Sequence, residues 1–420
     1  MFRQNARNFD KNIKKQTNTG KNTIMERNLN DVKIPVAIQF CFDDVGWYDG
    51  RDLRQKGQAS RSGIPRDHAI EDYVMLHEFG KALGQKVLAP LCLADWDKDN
   101  LLRGEVGITH DPYGWDVAST IDMEHHEKAR DILNGSNYIE PCIHGLLHGV
   151  YSDKGELITE AEYFKVIEAD GEKKLVLNSP EDFNNRIRLF FEIYRSWGFT
   201  KNIRTFVSPC GFKGAGDDMI LDLAARLEAL GVKYWANLGF SFPGPLGTYL
   251  DIAVMKKGGS YTEEGRTPPW EGYDIDPELL LPFVSEKNYK GTNMVGMHWT
   301  NLLRLNPKRN LDNLPLWIDY FNRERETFGT MIAKDVEFSV TQQFYNLYSK
   351  MDIRDGELVI DVSEAMKRKT TPCKDELYIS FKKGIAPRMI EGGSLSLYEE
   401  HMEFSTYKIM HTGDRIILRL

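Results

Sequence analysis

Residues 35–42 read Pro-Val-Ala-Ile-Gln-Phe-Cys-Phe, and Asp43-Asp44 follow at once. A near-continuous apolar run of this length suits a strand buried on both faces, as in a parallel sheet. Similar runs recur at 86–93, 137–143, 203–208, 232–238 and 294–298. Helical patterns fill the gaps, at 67–84, 120–133, 180–197 and 217–230, and one more follows at 311–328. Asn134-Gly135 stops the second of them. Ser179 caps the third, with Pro180, Glu181 and Asp182 in its first turn, where a helix N-terminus favours acids. Alternation of this kind predicts an α/β chain with a parallel sheet, and so many units predict a closed or nearly closed barrel.

Two stretches depart from the alternation. Residues 151–177 carry turn signals at Asp153-Lys154-Gly155 and Asp170-Gly171, which predict a hairpin-like insertion. Beyond about residue 334 the runs become short and alternating, at 357–362, 376–381 and 415–420, with turns at Asp355-Gly356, Gly392-Gly393 and Thr412-Gly413-Asp414. That pattern predicts a small all-β C-terminal domain. The expected division is a disordered tail over 1–30, a barrel over 31–333 and a β-rich domain over 334–420.

The whole chain has 420 residues, 41% of them hydrophobic, enough for a large core. A net charge of -8 and a pI near 5.8 argue against a nucleic-acid binder. No run approaches the roughly 20 apolar residues of a membrane span. The first 24 residues are rich in Lys, Asn, Gln and Thr and lack an apolar core, so no signal peptide is read and a cytoplasmic location is expected. Met25 offers an alternative start. The five cysteines show no Cys-x-x-Cys spacing, and Cys41, Cys92, Cys142 and Cys210 lie in apolar runs, so they read as buried small hydrophobes in a reducing compartment.

Three islands carry the chemistry: Asp43-Asp44, His144-Gly-Leu-Leu-His148 and Met297-His298, each behind a strand-like run. Barrel active sites lie where strands end. Adjacent carboxylates repel unless a cation or proton neutralises them, although Asp also ends strands as a plain turn residue. Two histidines four apart face the same way on a helical turn. Two His and one Asp make three ligands with open positions, the pattern of a catalytic metal centre, with Zn²⁺ the default divalent ion. A metal-activated water flanked by a base and an acid suits the set.

These islands resemble the motifs of the polysaccharide deacetylase (NodB-homology) family. Cys41-Phe42-Asp43-Asp44-Val45 matches its first motif and Glu140-Pro-Cys-Ile-His144-Gly-Leu-Leu-His148 its second. Ser208-Pro209-Cys210-Gly211 approaches its third, and Val295-Gly-Met-His298 matches its last. The resemblance covers residues 35 to about 330. It implies an incomplete or distorted (β/α) barrel in which Asp44, His144 and His148 hold the metal and Asp43 is the general base. The backbone N–H of Cys210 then binds the oxyanion, and His298 is the general acid. Departures exist: Val45 stands where the family has Gly, with Gly46 next. No arginine adjoins Pro209, the nearest being Arg204. At about 3.3 Å per residue, Arg204 sits some 13 Å upstream of the strand end, so a structural role in the barrel wall is expected for it. No clear match to the family's fourth motif is present.

Glu124-His125-His126-Glu127 reads as a solvated helix face, because neighbouring helical residues point about 100° apart. Aromatic residues crowd the loops (Trp47, Tyr48, Trp96, Tyr113, Trp115, Trp270, Trp299), and Trp47 and Trp299 are the candidates for a wall that stacks on a sugar. The leading expectation is a metal-dependent hydrolase that removes an N-acyl group, acetyl above all, from an amino sugar or glycan. The alternatives are an allantoinase- or deformylase-like hydrolase of a small non-sugar amide, and a catalytically impaired carbohydrate-binding protein.

Overall fold

The computed structural model describes residues 31–169, 171–210, 217–238, 248–261, 292–328 and 330–420. The expected tail at 1–30, together with Asp170, Gly211 and Trp270, lies outside them. Seven parallel strands form the central sheet: β1 (Ala37–Asp43), β2 (Val87–Cys92), β3 (Ile139–Gly145), β4 (Thr205–Val207), β5 (Tyr234–Leu238), β6 (Ile252–Tyr261) and β7 (Thr292–His298). Each pairs with the next, and β7 pairs back to β1, so the sheet curls into a barrel-like ring. Two joints are thin. β1 meets β2 only at Cys41 and Leu88, and β3 meets β4 only at Ile143 and Phe206. The first is splayed by Met331–Ile332, which pairs with Ala37 and Ile38, while Lys86 N–H donates to the Lys334 carbonyl at 2.8 Å.

Alternation along the strands explains the continuous apolar runs. Phe40 and Phe42 point outward onto Phe79 of α1 (Ile70–Leu83), and Phe40 also meets Phe321 of α5 (Leu314–Phe328). The outer layer is completed by α2 (Met123–Gly135), α3 (Pro180–Ser196) and α4 (Asp217–Ala229). Ser179 caps α3 as expected, accepting from Asp182 N–H at 3.2 Å. The inward set draws on every strand: Cys41, Leu88, Cys142, Val207, Tyr234, Met255 and Met294 share one core.

That inner core is completed by Val336, Val340 and Phe344 of α6 (Val336–Tyr348). Ser339 Oγ donates to the carbonyl of Ala37, the first residue of β1, at 2.6 Å. The helix therefore plugs the mouth at the strands' N-terminal ends. Residues beyond 334 do supply antiparallel sheets, as the alternating runs imply, built from strands that include 357–361, 376–382, 393–400, 404–411 and 415–419. The region is not all-β as expected, because α6 and α7 (Ser363–Arg368) lie within it. The insertion holds the expected hairpin, Phe164–Ala169 against Glu172–Leu177, and a second small pair, Val150–Tyr151 against Leu157–Thr159. Among the described residues no helix is long and apolar enough to cross a membrane.

Candidate metal centre

The three islands meet at the strands' C-terminal ends. Asp43 ends β1 and lies in register with His298, which ends β7. Asp44 follows in a left-handed conformation, φ 68°, which turns its carboxylate into the ring's mouth. His144 Nε2 and His148 Nε2 lie 3.5 and 3.8 Å from Asp44 Oδ1, and His298 Nε2 lies 3.9 Å from Oδ2. Three imidazoles thus surround one buried carboxylate.

The two histidines of the second island do not share a helical turn. His144 is still on β3, and residues 146–149 form a bend. His148 takes φ 51°, and this reversal brings its ring centroid to 5.2 Å from that of His144. A strand, a tight bend and one left-handed residue achieve the convergence expected of a helix. Of the six non-glycine residues with positive φ among those described, Asp44, His148 and Cys210 are all at this site. Strained backbone gathers where geometry is over-determined by function.

Val45 stands where a glycine was expected, and the structure accommodates it. Val45 bridges to Leu91 in extended form, and Cys92 N–H donates to its carbonyl at 2.8 Å. Gly46 carries the positive φ instead, 108°, and a Cβ there would sit 2.7 Å from the Cys92 carbonyl oxygen.

His144 Nδ1 contacts the Val207 carbonyl at 2.7 Å. A carbonyl only accepts, so Nδ1 holds a proton, which fixes the ring with Nε2 facing the site, the arrangement that orients a metal-binding imidazole. Burial alone would raise the Asp44 carboxyl. The His144 contact and the charges of His148 and His298 outweigh it and hold the group well below the usual carboxylate range. At 3.5 Å the His144 contact is long for a hydrogen bond, and Asp44 Oδ1 is sealed from solvent with no partner at bonding distance. A buried, ionised, orphaned carboxylate oxygen beside two imidazole nitrogens fits a divalent cation. Asp44, Cys92 and His144 offer donor atoms within 4.8 Å of one another, and so do His148, Glu160 and Cys210.

Several expectations need correction. Trp47 is 1% and Trp299 0% exposed, so neither ring offers a face to a sugar. Trp47 lies under the Arg61 guanidinium, and Trp299 stacks on His68 with ring centroids 4.0 Å apart. His126 is buried against Trp96 and Trp197, not solvated on a helix face. Cys41, Cys92 and Cys142 are buried as expected, but Cys210 is exposed. Arg204 is where the wall reading puts it: Nη2 is 3.5 Å from Glu140 Oε1 and Nη1 is 3.9 Å from Glu337 Oε2 of α6, at the ring's opposite end.

Sequence reasoning missed the support beneath His148. Glu162, fully buried in the insertion, accepts from Leu146 N–H at 2.8 and 3.0 Å and also from the His148 N–H. Arg186 of α3 donates to the Gly149 carbonyl at 3.2 Å and stands 3.9 Å from Glu162. A Cβ on Gly145 would meet Glu162 Oε2 at 2.2 Å, so this glycine is what lets the carboxylate under the bend. The glycine after His144 was the one sequence signal of that close approach.

No family model and no curated protein matches the chain. Solved structures similar to it include a CE4 family pseudoenzyme from Bacillus anthracis, 11% identical over 73% of this chain and 66% of that one, TM-score 0.35. A family 4 carbohydrate esterase from Streptomyces lividans is 9% identical over 71% of this chain and 92% of its own, TM-score 0.31. A 4-alpha-glucanotransferase from Thermococcus litoralis is 10% identical over 71% of this chain and 39% of its own, TM-score 0.37. The chain is similar to CE4 family proteins, the polysaccharide deacetylases. At these TM-scores the likenesses add no weight to the site, which rests on its own geometry.

Proposed function

We propose that this chain is a metal-dependent amide hydrolase that removes an N-acyl group, acetyl above all, from an amino sugar or glycan. The observation that supports it is the gathering of His144, His148 and His298 within 3.5 to 3.9 Å of the Asp44 carboxylate, with Asp43 in register with His298. Asp44, His144 and His148 hold a divalent cation, Zn²⁺ by the donor set. Such a cation, when bound, polarises an acyl carbonyl and lowers the pKa of water. Asp43 takes the proton from the attacking water. His298, partly open to solvent, gives a proton to the departing amine. The backbone N–H of Cys210 binds the oxygen on which charge develops.

The decisive experiment combines metal analysis of the purified protein with an amine-release assay across N-acetylated sugars and small amides. Turnover of N-acetylated sugars that follows metal content supports the reading. Turnover confined to small non-sugar amides overturns the sugar substrate.

One observation favours a second reading. Arg204 is committed to Glu140 and Glu337 at the far end of the ring, so it does not orient Asp43. A barrel that binds sugar without cleaving it would show tight binding with no amine release in the presence of Zn²⁺.

A further inference from the structure

The proposed base has a thiol for a neighbour. Cys41 and Asp43 are two apart on β1, so their side chains share one face of the strand. Cys41 is fully buried in the inner core of the ring with Leu88, Cys142 and Val207. Its thiol donates to Asp43 Oδ1, with Sγ 3.5 Å from that oxygen. Asp43 in turn lies in register with His298 across the joint between β1 and β7. The charged side chain that could have oriented Asp43, Arg204, is engaged with Glu140 and Glu337 at the opposite end of the ring. An apolar residue of similar size would fill the position of Cys41 in the core. The thiol adds a hydrogen bond to the carboxylate.

We infer that Cys41 is a positioning residue for the reaction: its S–H holds the Asp43 carboxylate in the rotation from which it takes a proton from water. The inference rests on the role proposed for Asp43 above. With Oδ1 held by the thiol, Oδ2 is the oxygen that receives the water proton. The thiol proton stays on sulfur throughout, so Cys41 acts only through Asp43. A hydrogen bond to an ionised acceptor is stronger than one between neutral groups, and a base held in its reactive geometry needs no further ordering as the water attacks.

Infrared spectroscopy reads the contact without any turnover. The S–H stretch stands clear of other protein bands and falls in frequency when the thiol donates. The Cys41 band is the one absent from Cys41→Ser. In Asp43→Asn, whose amide oxygen is a weaker acceptor than a carboxylate, that band should move to higher frequency while those of Cys142 and Cys373 stay in place. A Cys41 band that does not move overturns the contact, and the inference with it. Kinetics read the role. Cys41→Ala should lower kcat for amine release roughly tenfold with KM and cation content unchanged, and Cys41→Ser, which keeps a donor, should restore most of the loss. Equal losses in the two variants would assign the effect to packing and overturn the inference. A natural chain that turns over while Cys41→Ala keeps its full kcat overturns the inference alone. A natural chain that binds no cation and releases no amine overturns the function proposed above, and the role of Cys41 with it.

Discussion

Asp43 and Asp44 are neighbours with different surroundings, and the proposed function gives them different work. Asp44 is turned into a ring of three imidazoles, whereas Asp43 completes its strand with the Cys41 thiol 3.5 Å from Oδ1. Asp43→Asn should keep the cation and lower turnover by roughly 100-fold, the scale of lost general-base help. His144→Ala should leave far less than one cation per chain with the fold intact, because an open site adds little to folding. Metal analysis beside amine release checks both, and the roles are reversed if Asp43→Asn strips the metal. Glu162 works through the backbone: it anchors the bend that presents His148. Glu162→Gln should weaken Co²⁺ binding roughly tenfold, as loss of outer partners does, while the spectrum of bound Co²⁺ keeps its shape. An unchanged affinity would make Glu162 a folding residue only. The proposed ligands are legible in the sequence, but this support is not. Donor types at strand ends are readable from spacing, whereas Glu162 reaches the site from an insertion whose path no local pattern fixes.

At the scale of elements, β-strands buried on both faces announce themselves as unbroken apolar runs, and six of the seven stand on or beside the runs at 35–42, 86–93, 137–143, 203–208, 232–238 and 294–298; β6 is the exception. Helix α6 was hidden for a physical reason. Its residues Val336, Phe338, Val340, Thr341, Phe344 and Tyr345 are β-branched or aromatic, types that favour strands. Its buried Gln342 donates to the Pro35 and Tyr378 carbonyls at 2.8 Å each, a long-range satisfaction that no local reading supplies. The one signal was Asp335, which caps the helix by accepting from Phe338 N–H at 2.8 Å. Arg204 links these elements, since Glu140 belongs to β3 and Glu337 to α6. Burial pushes the Glu140 carboxyl upward even against the Arg204 charge, so removing that charge leaves a buried acid without its counter-ion. Arg204→Met should therefore lower stability by about 2 kcal/mol or more and spare the rate per folded chain. Urea unfolding and active-site-normalised turnover separate the two. A rate loss as large as that of Asp43→Asn, with stability unchanged, would place Arg204 in the chemistry.

Across the whole molecule, the ring is held shut by contacts distant in sequence. Asp72 at the start of α1 accepts from Arg66 at 2.7 and 2.8 Å, from Asn310 at 2.7 Å, and pairs with His68 at 2.8 Å. Arg66 in turn donates to the carbonyls of Arg304 and Leu305, and His68 supports Trp299 next to His298. One buried carboxylate thus clasps the first barrel helix to the chain that leaves the last strand. Burial alone would raise its pKa, but His68 and Arg66 outweigh burial and hold it well below the usual carboxylate range. The sign of the pH effect follows. As pH falls, the unfolded chain takes up the Asp72 proton near its ordinary value of about 4, before the folded chain does. The clasp is therefore fully present above that value and is lost as pH falls toward the depressed folded pKa. Asp72→Asn should cost about 2 kcal/mol or more at neutral pH, because the part-buried Arg66 loses its carboxylate partner and keeps only backbone carbonyls. The stability gap between natural chain and variant should then shrink steadily below about pH 4. Taking the difference removes the titrating groups remote from Asp72, the proposed metal ligands included. Urea unfolding of both chains at a series of pH values measures the gap directly. A gap that stays constant down to acid pH would mean that Asp72 carries no charge in the folded protein, and the clasp would have to rest on neutral hydrogen bonds alone.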